Sequence, residues 1–128
     1  MVVDASVLIA LMNPGDVHYA DAVALMRRGA IAGALVAHAM TVAESSVGAA
    51  ERGLLDQVRR AYDGLGLVTA ASDPGQPWRL AALRAETRLP LPDCCVLDLA
   101  VESGGELATF DRRLAVAARS HGVTLAAA

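Results

Sequence analysis

The sequence predicts an α/β fold, a three-layer α/β/α sandwich around a parallel sheet, in one domain that covers residues 1–128. Short apolar runs typical of buried strands alternate along the chain with longer segments that have helical spacing. Glycine and proline residues separate most of these segments. Because the carboxyl ends of parallel strands meet at one edge of a sheet, we expect ligands to bind at that edge.

The first half of the chain supplies three predicted strands. Val2 and Val3 are β-branched and form a short buried strand that runs straight into Asp4. The apolar run that follows ends at Asn13-Pro14-Gly15, and Gly29 is interpreted as the end of the next helix. The predicted strands are residues 2–3, 34–37 and 67–69, and the predicted helices are residues 7–12, 16–28, 41–52 and 54–62.

Proline and glycine residues mark the elements of the second half. Leu89-Pro90-Leu91-Pro92 predicts an extended approach, because a residue before proline is pushed out of the helical region. Asp93 then opens an apolar helix that Gly104-Gly105 closes, and a fourth strand leads to Asp111. The predicted helices are residues 78–88, 94–102 and 112–120, and the predicted strands are residues 107–110 and a short last one at 123–125.

The composition is unusually apolar, with 55% hydrophobic residues, although aromatic residues make up only 3%. We therefore expect an aliphatic core and an apolar surface patch that suits a partner. No segment approaches the ~20 consecutive apolar residues of a membrane span, so no membrane association is expected. Asp4 interrupts the start of the chain too early for a signal peptide, and we expect a cytoplasmic protein.

The net charge is −3, from 11 basic and 14 acidic residues, and every basic residue is arginine. Such a domain is not a general polyanion binder, because phosphate-driven affinity needs a basic surface. A nucleic acid can still be a substrate if a metal and a local arginine cluster hold it. Cys94 and Cys95 are adjacent, and we expect them to be buried free thiols in a reducing compartment.

Four acidic residues are placed where they can meet. Asp4 ends the first strand, Asp111 ends the fourth, Asp93 begins a helix at the same edge, and Glu44 lies early in the helix after the second strand. Carboxylates that share a partly buried site repel one another unless a cation lies between them, and oxygen ligands favour Mg²⁺ or Mn²⁺. Helix capping is the alternative: Asp is a common N-cap, and Thr41 and Glu44 have capping-box spacing.

A divalent ion held by carboxylates with open positions aligns a phosphodiester, activates a water and stabilises the departing oxygen. The acidic residues therefore predict hydrolysis of a phosphate ester. Arg112 and Arg113 follow Asp111 directly and are candidates for contact with the phosphate backbone. The alternative is that both arginines are solvated charges on a helix.

Several stretches together resemble a known family. They are Val3-Asp4-Ala5-Ser6-Val7-Leu8, Glu44 after the second strand, Leu91-Pro92-Asp93 before an apolar helix, and Ala-Thr-Phe-Asp-Arg-Arg-Leu over residues 108–114. This ordered set resembles a PIN domain, most closely the VapC-type toxins of bacterial toxin–antitoxin pairs, over essentially the whole chain. The resemblance implies a five-stranded parallel sheet ordered 3-2-1-4-5 and the activity of a Mg²⁺- or Mn²⁺-dependent endoribonuclease.

The resemblance also implies roles for residues and partners. An RNA substrate, a homodimer and a cognate antitoxin are implied, with the C-terminal segment of the antitoxin lying across an apolar groove and blocking the site. By the same resemblance, hydroxyl groups from Ser6 and Thr109 support the site. The implied catalytic and metal-binding residues are Asp4, Glu44, Asp93 and Asp111.

Asp98 departs from the four-acid pattern. It follows Asp93 by five residues, or about 140° around a helix, so the two side chains cannot easily face one ion. An internal partner for Asp98, such as an arginine, is expected instead. His18 lies among apolar neighbours and is interpreted as a packing or surface residue.

Other functions stay open from the sequence. The chain can be a housekeeping PIN-type ribonuclease without an antitoxin, or a catalytically silent PIN-like module that binds a protein. A receiver-like domain with an acidic pocket is disfavoured, because a receiver needs a lysine near its phosphorylated aspartate and this chain has no lysine.

Overall fold

The alternation of strands and helices that the sequence predicts is present in the computed structural model, which describes residues 1–128. The strands are β1 (Val2–Val3), β2 (Leu35–Ala37), β3 (Leu67–Thr69) and β4 (Leu107–Ala108). The helices are α1 (Ala5–Leu11), α2 (Tyr19–Ile31), α3 (Ala39–Glu51), α4 (Leu55–Gly64), α5 (Gln76–Thr87), α6 (Leu91–Ser103) and α7 (Arg112–Ser120).

The four strands form one parallel sheet in the order β3-β2-β1-β4. The two strands expected to be neighbours at the centre, β1 and β4, do pair, with Val2 opposite Leu107 and Val3 opposite Ala108. The expectation of five strands is wrong, because only Leu125 of residues 123–125 bridges to the sheet, opposite Leu107.

β4 is shorter than the sequence predicts. The strand was expected over residues 107–110, but the amides that follow it bond to side chains. The Phe110 N–H donates to Ser6 Oγ at 2.9 Å, and the Asp111 N–H donates to Thr109 Oγ1 at 3.0 Å. These amides are therefore not available for a ladder, and regular pairing stops after Ala108.

Two apolar clusters cover the two faces of the sheet. Successive residues of a strand point to opposite faces, and accordingly Val3 packs with α1, α2 and Tyr62 while Val2 packs with α6 and α7. Cys94 and Cys95 are buried free thiols, as expected. None of the helices has the length and apolar content that a bilayer crossing requires.

Helix α2 begins and ends later than the sequence suggested. His18 is its N-terminal flanking residue, and the Asp16 side chain accepts a hydrogen bond from the His18 N–H at 2.8 Å, which holds residues 16–18 in a turn. Gly29 does not end the helix. A Cβ at Gly29 would lie 2.2 Å from Leu35 Cδ2, so this glycine allows α2 to pack closely on β2.

Helix α3 begins before Thr41, so the capping-box interpretation of Thr41 and Glu44 is wrong. The cap is His38, whose Nδ1 accepts a hydrogen bond from the Met40 N–H at 3.0 Å. The Thr41 hydroxyl is buried inside the helix without a hydrogen-bond partner. Glu44 consequently lies in the second turn of α3, without a capping role.

Helix α6 begins at Leu91, with Pro92 in its first turn, rather than after an extended segment that reaches Pro92. Proline is tolerated there because the first amides of a helix have no intrahelical partner. Asp93 therefore lies in the first turn of α6.

The expected internal partner of Asp98 is Arg79. Asp98 is only 3% exposed, and its two carboxylate oxygens accept hydrogen bonds from Arg79 Nε at 2.8 Å and Arg79 Nη2 at 3.0 Å. Gln76 Nε2 donates to the same carboxylate at 3.0 Å and its Oε1 lies 2.7 Å from His38 Nε2. Asp98 thus joins α5 and α6 to the start of α3.

The two helical glycines with different surroundings give a direct test of the packing. Replacing Gly29 with Ala is expected to reduce the free energy of unfolding by about 1–3 kcal/mol, because buried Leu35 must move. Replacing Gly48 of α3 with Ala is the matched control, since no atom lies within 4 Å of its added Cβ. That variant is expected to gain about 0.5–1 kcal/mol from helix propensity. Urea unfolding measures both, and equal effects would contradict the close approach of α2 to β2.

Candidate active site

Asp4 is the most enclosed acidic residue at the carboxyl edge of the sheet. It follows β1 directly and is 5% exposed. Although it precedes α1, its side chain makes no capping hydrogen bond, so the capping alternative is wrong for Asp4. Instead, its Oδ2 accepts hydrogen bonds from Ser6 Oγ at 2.6 Å and Thr109 Oγ1 at 2.8 Å. The two hydroxyls fix the orientation of the carboxylate, one from the segment that follows β1 and the other from the segment that follows β4.

Asp111 lies at the end of the loop that follows β4. Its Oδ1 accepts hydrogen bonds from the Arg113 N–H at 2.8 Å and the Leu114 N–H at 3.1 Å, so it caps α7. The capping alternative is therefore correct for one oxygen of Asp111. The other oxygen makes no hydrogen bond within the chain, and it is free to take a ligand.

Asp93 and Glu44 have carboxylates that no protein donor satisfies. Asp93 is partly exposed in the first turn of α6, and Glu44 is exposed on α3. Neither makes a side-chain hydrogen bond or an ion pair, in contrast to Asp98, whose charge Arg79 compensates. Both side chains can therefore reorient without breaking an existing contact.

The raised pKa values of Asp93 and Glu44 indicate that the four acids act on one another electrostatically. The pKa of Asp93 is raised to about 6, first by burial and then by the negative charges of Asp4, Asp111 and Glu44, while Arg113 opposes the rise. Glu44 is exposed, but neighbouring atoms remove enough water from it to raise its pKa, and the charge of Asp4 adds to that rise. The four carboxylates therefore share one electrostatic field.

The carboxylates are not drawn together into a closed cage. No group of three or more His, Cys, Asp or Glu side chains is arranged so that it could hold a metal ion as it stands. The donor set nevertheless fits a hard divalent cation, because it consists of oxygens with an excess of negative charge and with free lone pairs. Metal binding by Asp4, Glu44, Asp93 and Asp111 stays a prediction.

Two clefts meet at the N-terminal turn of α7, beside Asp111. One, of about 510 Å³, contains Arg112 and Arg113, and the other, of about 370 Å³, contains Arg112 and Arg119. Both arginines predicted to contact phosphate therefore line a cleft, and Arg113 acts electrostatically on Asp93. Arg119 was not singled out from the sequence, because its spacing in α7 resembles that of any solvated helical charge.

A second feature that the sequence did not reveal is a pair of stacked rings next to the acids. The imidazole of exposed His18 lies on the ring of Phe110, with centroids 4.4 Å apart and an angle of 11° between the planes. The interpretation of His18 as a packing or surface residue is compatible with this contact. In the sequence, the position of Phe110 between Thr109 and Asp111 was the signal that an aromatic ring lies next to the acids.

The comparison with protein families agrees with the fold and with the placement of the acids. The family model of the PIN domain matches residues 1–120, and the chain belongs to the PIN domain family. PIN domains are typically nucleases, and these nucleases generally use divalent metal ions. A comparison with curated proteins found no match.

The raised pKa of Asp93 predicts how pH affects the metal-free protein. Its carboxyl stabilises the fold while protonated, fully below about pH 4, and that contribution is lost as the pH rises through about 6. Asp93→Asn is therefore expected to unfold at a higher temperature than the wild type at pH 8 in EDTA. The gain should be on the order of 1 kcal/mol, less than the full shift implies, because solvent reaches the group.

Thermal unfolding from pH 4 to pH 8 measures this difference. Asp63→Asn, which changes an exposed acid at the end of α4, is the control and should follow the wild type. A gain for Asp93→Asn that is equal at pH 4 and pH 8 would contradict the electrostatic origin.

Proposed function

We propose that this PIN domain is a Mg²⁺- or Mn²⁺-dependent endoribonuclease in which Asp4, Glu44, Asp93 and Asp111 hold the metal. The observation that supports this most directly is the raised pKa of Asp93, which burial raises most and the charges of Asp4, Asp111 and Glu44 raise further, while only Arg113 opposes the rise. Such repulsion persists in a fold when a cation offsets it during function. The nuclease activity typical of PIN domains supports the same conclusion.

The chain contributes orientation and charge to this reaction. Ser6 and Thr109 hold Oδ2 of Asp4, which leaves its Oδ1 for a ligand, and the backbone of α7 holds Oδ1 of Asp111. Glu44 and Asp93 would complete the set of ligands, since neither carboxylate is hydrogen-bonded to another group of the protein. A divalent ion at such a site supplies charge neutralisation for the phosphate and activation of a water nucleophile.

Arginines at the N-terminus of α7 position the substrate in this proposal. Arg112 and Arg113 are exposed and lie in the turn that Asp111 caps. Guanidinium groups bind phosphate oxygens with two hydrogen bonds and thereby fix the orientation of the backbone beside the carboxylates. The net charge of −3 implies that this attraction is local and does not extend over the whole surface.

A cleavage assay tests the proposed activity. Purified protein is expected to cut RNA with Mg²⁺ or Mn²⁺ and to stop in EDTA. Asp4→Asn and Asp93→Asn should each lower the rate by at least about 100-fold, because each removes a charged ligand of the ion. Asp63→Asn should retain the wild-type rate. Cleavage that survives EDTA, or survives both site variants, would rule out the mechanism.

The finer proposal is that the nuclease is the VapC-type toxin of a toxin–antitoxin pair, acts as a homodimer, and is inhibited by a cognate antitoxin. An unpartnered apolar surface supports this. Leu55 is exposed and lines a groove of about 630 Å³ between α3 and α4, and Met40, Val47 and Leu54 are further exposed apolar residues on and between these helices. The antitoxin segment is the proposed occupant, and the resemblance to VapC-type toxins is the reason for naming it.

Growth of a bacterial host after expression of this chain is induced distinguishes a toxin from a housekeeping ribonuclease and from a silent binding module. Expression of the wild-type chain alone is expected to arrest a bacterial host, whereas Asp93→Asn should not, because the metal site is incomplete. Co-expression of a small protein encoded next to this chain should restore growth. A housekeeping ribonuclease would cleave RNA without arrest or rescue, and a silent binding module would neither cleave nor arrest.

A further inference from the structure

The stacked rings of His18 and Phe110 lie next to the acidic site, because Phe110 stands between Thr109 and Asp111 in the chain. The Phe110 N–H donates to Ser6 Oγ, and the same Ser6 hydroxyl donates to Oδ2 of Asp4. His18 is held by the hydrogen bond from its N–H to Asp16. The backbone of Phe110 is therefore tied to the hydrogen bonds that orient Asp4, and the His18 ring is placed by stacking on Phe110.

The surroundings of Phe110 combine an aromatic face with positive charge. Phe110 lines the cleft of about 370 Å³ together with Asp111, Arg112 and Arg119. Pockets of roughly 300 Å³ or more accommodate small ligands. An aromatic ring beside guanidinium groups is the combination that binds unpaired nucleotides, because the ring stacks on the base and the cations hold the backbone.

The stack is also unusual within this chain. Aromatic residues make up 3% of the sequence, and the apolar core is almost entirely aliphatic. An exposed imidazole contributes little to the core by lying on a half-buried Phe110. The face of the imidazole directed away from Phe110 has no aromatic partner, so a further ring can extend the stack.

We infer that His18 and Phe110 form a stacking platform for an unpaired nucleobase of single-stranded RNA next to the scissile phosphate. Arg112 and Arg119 then hold the phosphates that flank this base. This inference rests on the proposed ribonuclease function and adds the subsite that positions the strand. Stacking tolerates every base because each has a π-face, so the platform orients the strand without selecting a sequence.

Binding of an intact oligonucleotide tests the platform independently of cleavage. The experiment uses the full chain with Asp93→Asn, in EDTA, and a single-stranded RNA that carries one fluorescent 2-aminopurine. The protein that carries Asp93→Asn and retains His18 is expected to quench the fluorescence of 2-aminopurine. His18→Ala should raise Kd by about 5-fold or more, and His18→Phe should restore both Kd and quenching, since it keeps a planar ring.

Salt dependence separates stacking from phosphate contact. His18→Ala should shift the plot of log Kd against log salt concentration without changing its slope, because no counterion is released by stacking. Arg112→Ala and Arg119→Ala should each lower the slope by about 0.7, the value for one phosphate contact on a single strand. Trp78→Ala, which removes an aromatic residue that is 80% exposed on α5, is the matched control and should change neither quantity.

An abasic nucleotide gives a test that needs no further variant. Oligonucleotides with one abasic position, moved along the strand, should include one whose affinity is insensitive to His18→Ala. If His18→Ala binds RNA as tightly as its parent while the arginine variants still weaken binding, the platform is overturned and the ribonuclease proposal stands. If quenching and the effect of His18→Ala are observed while the chain with Asp93 intact cleaves RNA with neither Mg²⁺ nor Mn²⁺, the ribonuclease proposal fails and the platform stands.

Discussion

The Asp4 carboxylate is held by two hydroxyls from positions far apart in the chain, Ser6 near its start and Thr109 near its end. This contact depends on the parallel pairing of β1 and β4, which brings residues 3 and 108 side by side. The same two hydroxyls also accept hydrogen bonds from the N–H groups of Phe110 and Asp111. For this reason β4 ends where the site begins. The length of β4 and the orientation of the Asp4 carboxylate are thus consequences of one hydrogen-bond network, which the pairing of β1 and β4 makes possible.

Asp4 and Asp98 are both buried acids, and their partners distinguish their roles. Asp98 has an arginine and a glutamine as donors, and its charge is compensated within the protein. Asp4 has only two neutral hydroxyls as donors, and its charge adds to the effect of burial in raising the pKa of Asp93. A compensated carboxylate joins helices, whereas an uncompensated group of carboxylates stores repulsion that a bound cation relieves. Repulsion of this kind lowers the stability of the folded protein. Its presence therefore indicates a functional site.

The surface around the carboxylates complements them. An acidic centre alone repels a polyanion, and in the proposed function the arginines of α7 offset that repulsion where an RNA strand approaches. The clefts on the two sides of Arg112 supply surfaces of different character, one next to Arg113 and one next to Phe110. The N-terminal turn of α7 therefore connects the acids to the proposed path of the substrate.

By itself, the sequence determined the α/β class, the family and the approximate positions of all four observed strands. It also determined that Asp4 and Asp111 follow strands. These features could be predicted because the hydrophobic period and the order of segments along the chain are patterns of the sequence itself. It did not determine where α2 and α3 begin, since His18 and His38, which flank these helices, are not among the residue types that usually cap a helix. Only the tertiary structure decided that Gly29 is a packing residue, that Arg79 compensates Asp98, and that the chain pairs beyond β4 at Leu125 alone. Each of these depends on how two separate segments pack against each other, and such packing is not encoded in the spacing of residues within either segment.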